Sequence, residues 1–212
     1  MSAPWHSARQ GRGMLLLRGE PDPVATWARR GLVPVHVVPL DGWTAVLPAG
    51  PSRAMPPYDD TLKALAGRPV AARLRSAIGL FAVDGNAVVT VQPTGWRAIQ
   101  RWFVWSPGQG VVRTRHLATG RPADLTAAAG IHGGATRRGV LDLLIDGGGG
   151  AHGVLGGLMA LLSLPGSELL AGGQDPAASQ GSMLVEPSER HVARFERIVQ
   201  DQALHRVELE ED

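Results

Sequence analysis

The sequence predicts an α+β domain: an antiparallel or mixed sheet drawn from roughly the first 115 residues, packed with a helical second half. Three observations carry this. Apolar, β-branched runs in the first half flank hairpin-forming turns at Asp41-Gly42 and Asp84-Gly85-Asn86. After residue 118 the apolar residues take helical spacing between glycine clusters. With 212 residues, 44% hydrophobic and 19% charged, the chain has enough apolar surface for a packed core and too little net charge for disorder.

Residues 1–13 are polar and Gly-containing and read as a mobile lead-in. Met14 to Arg18 reads as a short buried strand. Pro21-Asp22-Pro23 then starts a helix through Arg30, with Asp22 as cap and Pro23 in the first turn, stopped by Gly31. Val33 to Leu40 and Trp43 to Leu47 form a hairpin, and Pro34 and Pro39 restrict its first strand to an edge or a shorter core. Asp59-Asp60 precede a short helix with Leu62 and Leu65 on one side, and a second short helix is expected around Val70 to Ser76. Ile78 to Val83 and Ala87 to Gln92 form the next hairpin. The order strand, helix, strand, strand, helix, strand suggests a ferredoxin-like βαββαβ start with an added strand. Arg101 to Trp105 and Val111 to Arg115 make a third hairpin and complete a sheet-rich α/β unit over residues 14–118.

Residues 119–206 read as a helical region packed on that unit: Pro122 to Ala129, Ala135 to Asp146, Ala151 to Leu164 and Ser188 to Leu204. Gly172 to Gly181 reads as a flexible linker. On the last helix Val192, Phe195 and Val199 share a face expected to dock, placing the acidic tail, residues 207–212, near the basic segment of this chain or of a second copy. No internal repeat of fixed period is present.

The 21 basic and 19 acidic residues give +2, although the sequence pI is about 9.9. All the basic residues but Lys63 are Arg, Tyr58 is the single Tyr and there is no Cys, so almost nothing titrates between the acids and pH ~10. The high pI reflects missing buffering rather than a strongly basic protein. Absence of Cys excludes disulfides, thiolate catalysis, thiolate zinc sites and iron–sulfur clusters. Met14 to Leu17 is too short for a signal h-region, and Val154 to Leu164, the most apolar stretch, falls short of the ~20 residues a spanning helix needs. A cytoplasmic protein with no membrane partner is therefore expected, and no cofactor is implied.

Charge is segregated along the chain. From Thr61 to Ala123 nine basic residues face only Asp84, giving +8 against −6 for the remainder. The same span holds Trp96, Trp102, Phe103 and Trp105. On a strand, Arg101, Phe103 and Trp105 fall on one face and Trp102 and Val104 on the other. Exposed, such rings beside Arg97, Arg101, Arg113 and Arg115 would stack a base or hold an anionic ligand. Buried, they are core with arginine stems laid over them, which is the commoner fate of large aromatics.

Asp142 and Asp146, four apart on one helix, with His152 starting the next and His132 upstream, form a weaker candidate for a divalent metal or an acid/base pair. Their spacing matches no established metal signature, and a solvated polar face, with Asp146 near a helix end, is the better explanation. Gly147 to Gly150 lacks the features of a phosphate loop and reads as a turn, while Gly153 and Gly157 permit close helix packing.

The features that stand out are surfaces and charge blocks rather than a catalytic constellation. The sequence therefore points first to a non-catalytic interaction or regulatory protein of a bacterial-type cytoplasm, with a protein partner or homo-oligomer. The alternatives are a binder of nucleic acid or another polyanion through the basic aromatic segment 95–121, and a metal-assisted hydrolase around Asp142, Asp146 and His152.

Overall fold

Four consecutive apolar side chains, Met14 to Leu17, are each at most 1% exposed. A strand points successive side chains to opposite faces, so such a run can be buried only if both faces of its sheet are covered. The computed structural model, which describes residues 11–95 and 98–211, with side chains through Gln202, supplies both covers.

Eight strands, β1 (Arg12–Leu17), β2 (Val35–Leu40), β3 (Trp43–Pro48), β4 (Ala77–Val83), β5 (Asn86–Gln92), β6 (Arg101–Ser106), β7 (Gly110–Val112) and β8 (Met183–Val185), form one open sheet. Its order is β7-β6-β5-β4-β1-β3-β2-β8, and every neighbouring pair is antiparallel. One face packs Leu15, Leu17 and Phe81 against α1 (Pro21–Ala28) and α2 (Thr61–Ala66). The other packs Met14, Leu16, Ile78 and Leu80 against α3 (Pro122–Ala129), α4 (Gly134–Asp146), α5 (Gly150–Leu161) and α6 (Ser167–Ala171). A seventh helix, α7 (Glu189–Glu211), follows β8, and the Ser188 N–H just before it donates to Arg29 O at the end of α1 (2.8 Å). Among the described residues the protein is thus mixed α+β, and no helix is long and apolar enough to cross a membrane.

Several expectations are corrected. β1 starts at Arg12, inside the proposed lead-in, whose residues 1–10 lie outside the described residues. Asp22 does not cap α1: Glu20 holds the cap position and the helix ends at Ala28. Of the two outcomes expected from Pro34 and Pro39, the shorter strand holds and the edge does not: β2 starts at Val35 and β8 pairs with it at Val35, His36 and Val37, while Pro39, which has no N–H to give, stands just past that pairing. The second half is therefore not purely helical. The proposed linker holds a 3-10 turn at Pro176–Ala178 that leads into β8, whose three residues are too few to show a period. The Arg113 and Arg115 end of the third hairpin lies beyond β7, which stops at Val112.

The Phe81 ring fixes the middle of the sheet. It lies across two glycines, Gly13 opposite on β1 and Gly79 two residues earlier on β4, with no exposed surface of its own. A Cβ at Gly79 would stand 2.4 Å from Thr90 Oγ1 and 2.5 Å from the Phe81 ring. Gly79→Ala should therefore destabilise the fold by about 1–3 kcal/mol through overpacking. Phe81→Leu in the same chain should recover part of that loss. Urea midpoints of the three variants check this, and an unchanged midpoint for Gly79→Ala would show that the ring has room to move.

Asp60 is the N-cap of α2, accepting from the Lys63 N–H at 3.0 Å. Partial burial raises its carboxyl pKa, but that hydrogen bond and the Lys63 ammonium at 3.2 Å outweigh it and hold the group below its ordinary value of 3.8. A carboxyl lowered in the folded state stabilises above its unfolded pKa, and that stabilisation is lost as pH falls through the folded value. Asp60→Ala should cost about 1 kcal/mol at neutral pH. Asp60→Asn, which keeps an acceptor for the cap, should cost less and show a shallower loss of stability in acid, measurable as urea midpoints between about pH 6 and pH 2.

Candidate functional site

Three aromatic side chains from distant parts of the chain converge on one concavity. Trp27 comes from the last turn of α1, Tyr58 from the loop before α2, and Phe195 from the second turn of α7. The cavity they line measures about 470 Å³, and Leu32, Val33, Ala64, Leu65 and Pro69 complete its apolar wall. Trp27 is buried and its indole is fixed by an Nε1–H bond to Pro69 O (3.0 Å). Tyr58 and Phe195 meet edge to face, with centroids 5.0 Å apart at 86°. That geometry belongs to attractive aromatic pairs and anchors the start of α7 to the loop before α2.

Among the described residues, the ionisable side chains around this cavity other than Tyr58 are all basic. Arg30, Lys63, Arg68 and His191 line it, and among the described residues no Asp or Glu does. Lys63 contributes its stem, because its ammonium bridges Asp60 at 3.2 Å and Asp84 at 3.5 Å. The Arg68 guanidinium lies flat on the Trp27 ring, 3.7 Å from the centroid. It donates to Trp27 O and to Ala28 O, the carbonyls that end α1. Burial pushes its pKa down to about 10 from the ordinary 12.5, which leaves it charged at neutral pH.

A second and larger concavity, about 1020 Å³, opens at the ends of β1, β3 and β4 against α2 and α6. Asp59, Asp60, Asp84 and Asp175 line it with Arg12. Its carboxylates are largely engaged: Asp60 caps α2, Asp175 caps the 3-10 turn by accepting from the Ala177 N–H at 2.9 Å, and Lys63 spans Asp60 and Asp84.

The residues singled out from the sequence lie elsewhere. Phe103 and Trp105, 2% and 3% exposed, pack into the core beneath α3 to α5, so neither can stack a base. Trp102 is half-buried on the opposite face, and its backbone is paired with residues 118–120: its main-chain N–H donates to Ala118 O and its main-chain O accepts from the Gly120 N–H. A side chain at Gly120 would collide with the Phe103 ring, which is why the covering segment has glycine there. Arg101 is half-buried, Arg113 and Arg115 are exposed, and Trp96 and Arg97 lie outside the described residues. Nor does the basic block form one patch. Arg68 is committed to the end of α1, and Arg75 donates to Val70 O, Gly95 O and Ala98 O.

Asp142, Asp146 and His152 are all exposed, and among the described residues no group of three or more His, Asp or Glu comes together to hold a cation. Helical spacing placed the two carboxylates on one face, but that face points to solvent. The expected docking of the acidic tail onto the basic segment falls on side chains outside the described residues, although Val192, Phe195 and Val199 are half-buried.

Sequence reasoning missed Trp27, Tyr58 and Arg68 as members of one site. No local spacing links positions 27, 58, 68 and 195; the available signals were the apolar face containing Phe195 and the membership of Arg68 in the basic block. No protein-family model, curated protein or solved structure matches this chain.

Proposed function

We propose that this protein is a non-catalytic binding protein of the interaction or regulatory class, and that it works by holding a small apolar ligand between α1, α2 and α7. The observation that carries this reading is the convergence of Trp27, Tyr58 and Phe195 on a single concavity of about 470 Å³. Ligand pockets fall at roughly 300–1,000 Å³, with apolar and aromatic walls and few polar groups. Tyr58 and Phe195 touch edge to face, yet Tyr58 still keeps 41% of its surface exposed, so its ring is not spent wholly on contacts within the protein. The site joins the first half of the chain to its last helix, so occupancy would be felt by α7. We also read residues 12–83 as a ferredoxin-like βαββαβ unit, supported by the order β4-β1-β3-β2 and by α1 and α2 lying on one face.

Titration with N-phenyl-1-naphthylamine, a neutral apolar fluorophore, tests the reading. Saturable binding at one site per chain is expected, weakened about tenfold or more by Phe195→Ala, since a lost aromatic contact is worth at least ~1.5 kcal/mol. Absence of saturable binding, or binding indifferent to Phe195→Ala and Tyr58→Ala, would remove this cavity as the site. Tight binding of single-stranded DNA with a salt slope flattened by Arg113→Ala and Arg115→Ala would return the function to the basic segment.

A further inference from the structure

We propose that the occupant of this cavity is an amphipathic carboxylate, its flat apolar body lying among Trp27, Tyr58 and Phe195 and its charge taken by the Arg68 guanidinium. This rests on the reading of the cavity as a ligand site and names the chemistry of what it holds.

The argument starts from what Arg68 leaves unused. A guanidinium carries five N–H donors. Two go to Trp27 O and Ala28 O, and among the described residues no carboxylate comes within 4 Å of the group. The carbonyl end of a helix presents only about half a negative charge, so α1 offsets part of the Arg68 charge and leaves a net cation. Arg18 makes the comparison. It stacks on Trp43 at 4.0 Å and donates to Ala129 O at the end of α3, the same combination of ring and helix end, but its bonds lie at the exposed surface where water completes its shell. Arg68 is instead half-buried and lines a largely apolar cavity.

The rest of the lining agrees in sign. Arg30 and His191 add basic groups, no acid among the described residues lines the cavity, and the Lys63 ammonium is drawn off toward Asp60 and Asp84. Tyr58 and Phe195 offer ring surface to a planar body, while the Trp27 indole, its face covered by Arg68, backs the guanidinium from behind. A carboxylate accepts two parallel N–H bonds from a guanidinium, the geometry that three remaining donors can supply.

Paired titrations of the full chain with 2-naphthoate and 2-naphthamide, alike in shape and differing in charge, test the proposal. The anion is expected to bind about tenfold tighter or more, as charge-assisted bonds in a dry site require. Arg68→Gln should erase that preference, so that the two probes then bind with affinities within about twofold of each other. Equal affinity for both probes in the unaltered protein would overturn the carboxylate while leaving the cavity as a ligand site. So would an Arg68→Gln variant, shown folded by its urea midpoint, that keeps the preference. Failure of both probes to bind would overturn the cavity reading as well. Dimerisation abolished by Phe195→Asp, with neither probe bound, would give the groove to a second copy of the chain. Since Arg68→Gln also removes bonds at the end of α1, the comparison in the unaltered protein decides the matter even if the variant does not fold.

Discussion

Everything in this fold depends on β1 being buried on both faces. Met14 and Leu16 point one way, Leu15 and Leu17 the other, and each full burial is worth about 1.5–3 kcal/mol relative to an exposed side chain. A sheet centred on such a strand is stable only between two apolar layers. The chain therefore spends its first 76 residues placing α1 and α2 on one face, and α3 to α6 serve mainly to cover the other. Phe81 shows how tightly the middle is specified: its ring occupies the space that side chains at Gly13 and Gly79 would need.

The same layering explains the two arginine–tryptophan stacks. Helices that end beside the sheet leave carbonyls without intrahelical partners. Arg18 over Trp43 serves the end of α3, and Arg68 over Trp27 serves the end of α1. In both cases the indole supports the apolar plane of the guanidinium while its edge meets the carbonyls. Arginine suits this task because its donors are fixed in one plane. Some of the basic excess between Thr61 and Ala123 is accordingly structural: Arg68 and Arg75 bind backbone carbonyls, and only residues such as Arg113 and Arg115 present their charge freely to solvent.

The elements legible in the sequence were those whose signal is local. The turns at Asp41-Gly42 and Asp84-Gly85, where Gly42, Asp84 and Gly85 adopt positive φ, announced their hairpins, and Pro122 followed by Gly130 bracketed α3. β8 and α6 were missed because three and five residues are too short to carry a period, and their existence is decided by what they dock against. The alternation through Arg101, Trp102, Phe103, Val104 and Trp105 was readable, but whether its faces were wet was not. That depended on α3 to α5 arriving from later in the chain and on residues 118–120 closing the edge.

The candidate site was the least legible part for the same physical reason. A catalytic or metal signature often sits on one element, where spacing fixes geometry before the fold is known. A cavity made by three elements has no such spacing. Trp27 and Tyr58 are 31 positions apart, and Phe195 is brought to them only because β8 pairs with β2 and delivers α7 beside the end of α1. The short strand that sequence periodicity could not reveal is thus what positions the third wall of the cavity. Its placement also accounts for the basic lining: the end of α1 attracts Arg68 to its carbonyls, Arg30 follows it in the chain, and the first turn of α7 brings His191. The positive character of the site is therefore a consequence of where helices end, assembled from residues whose charges had no visible relation in the sequence.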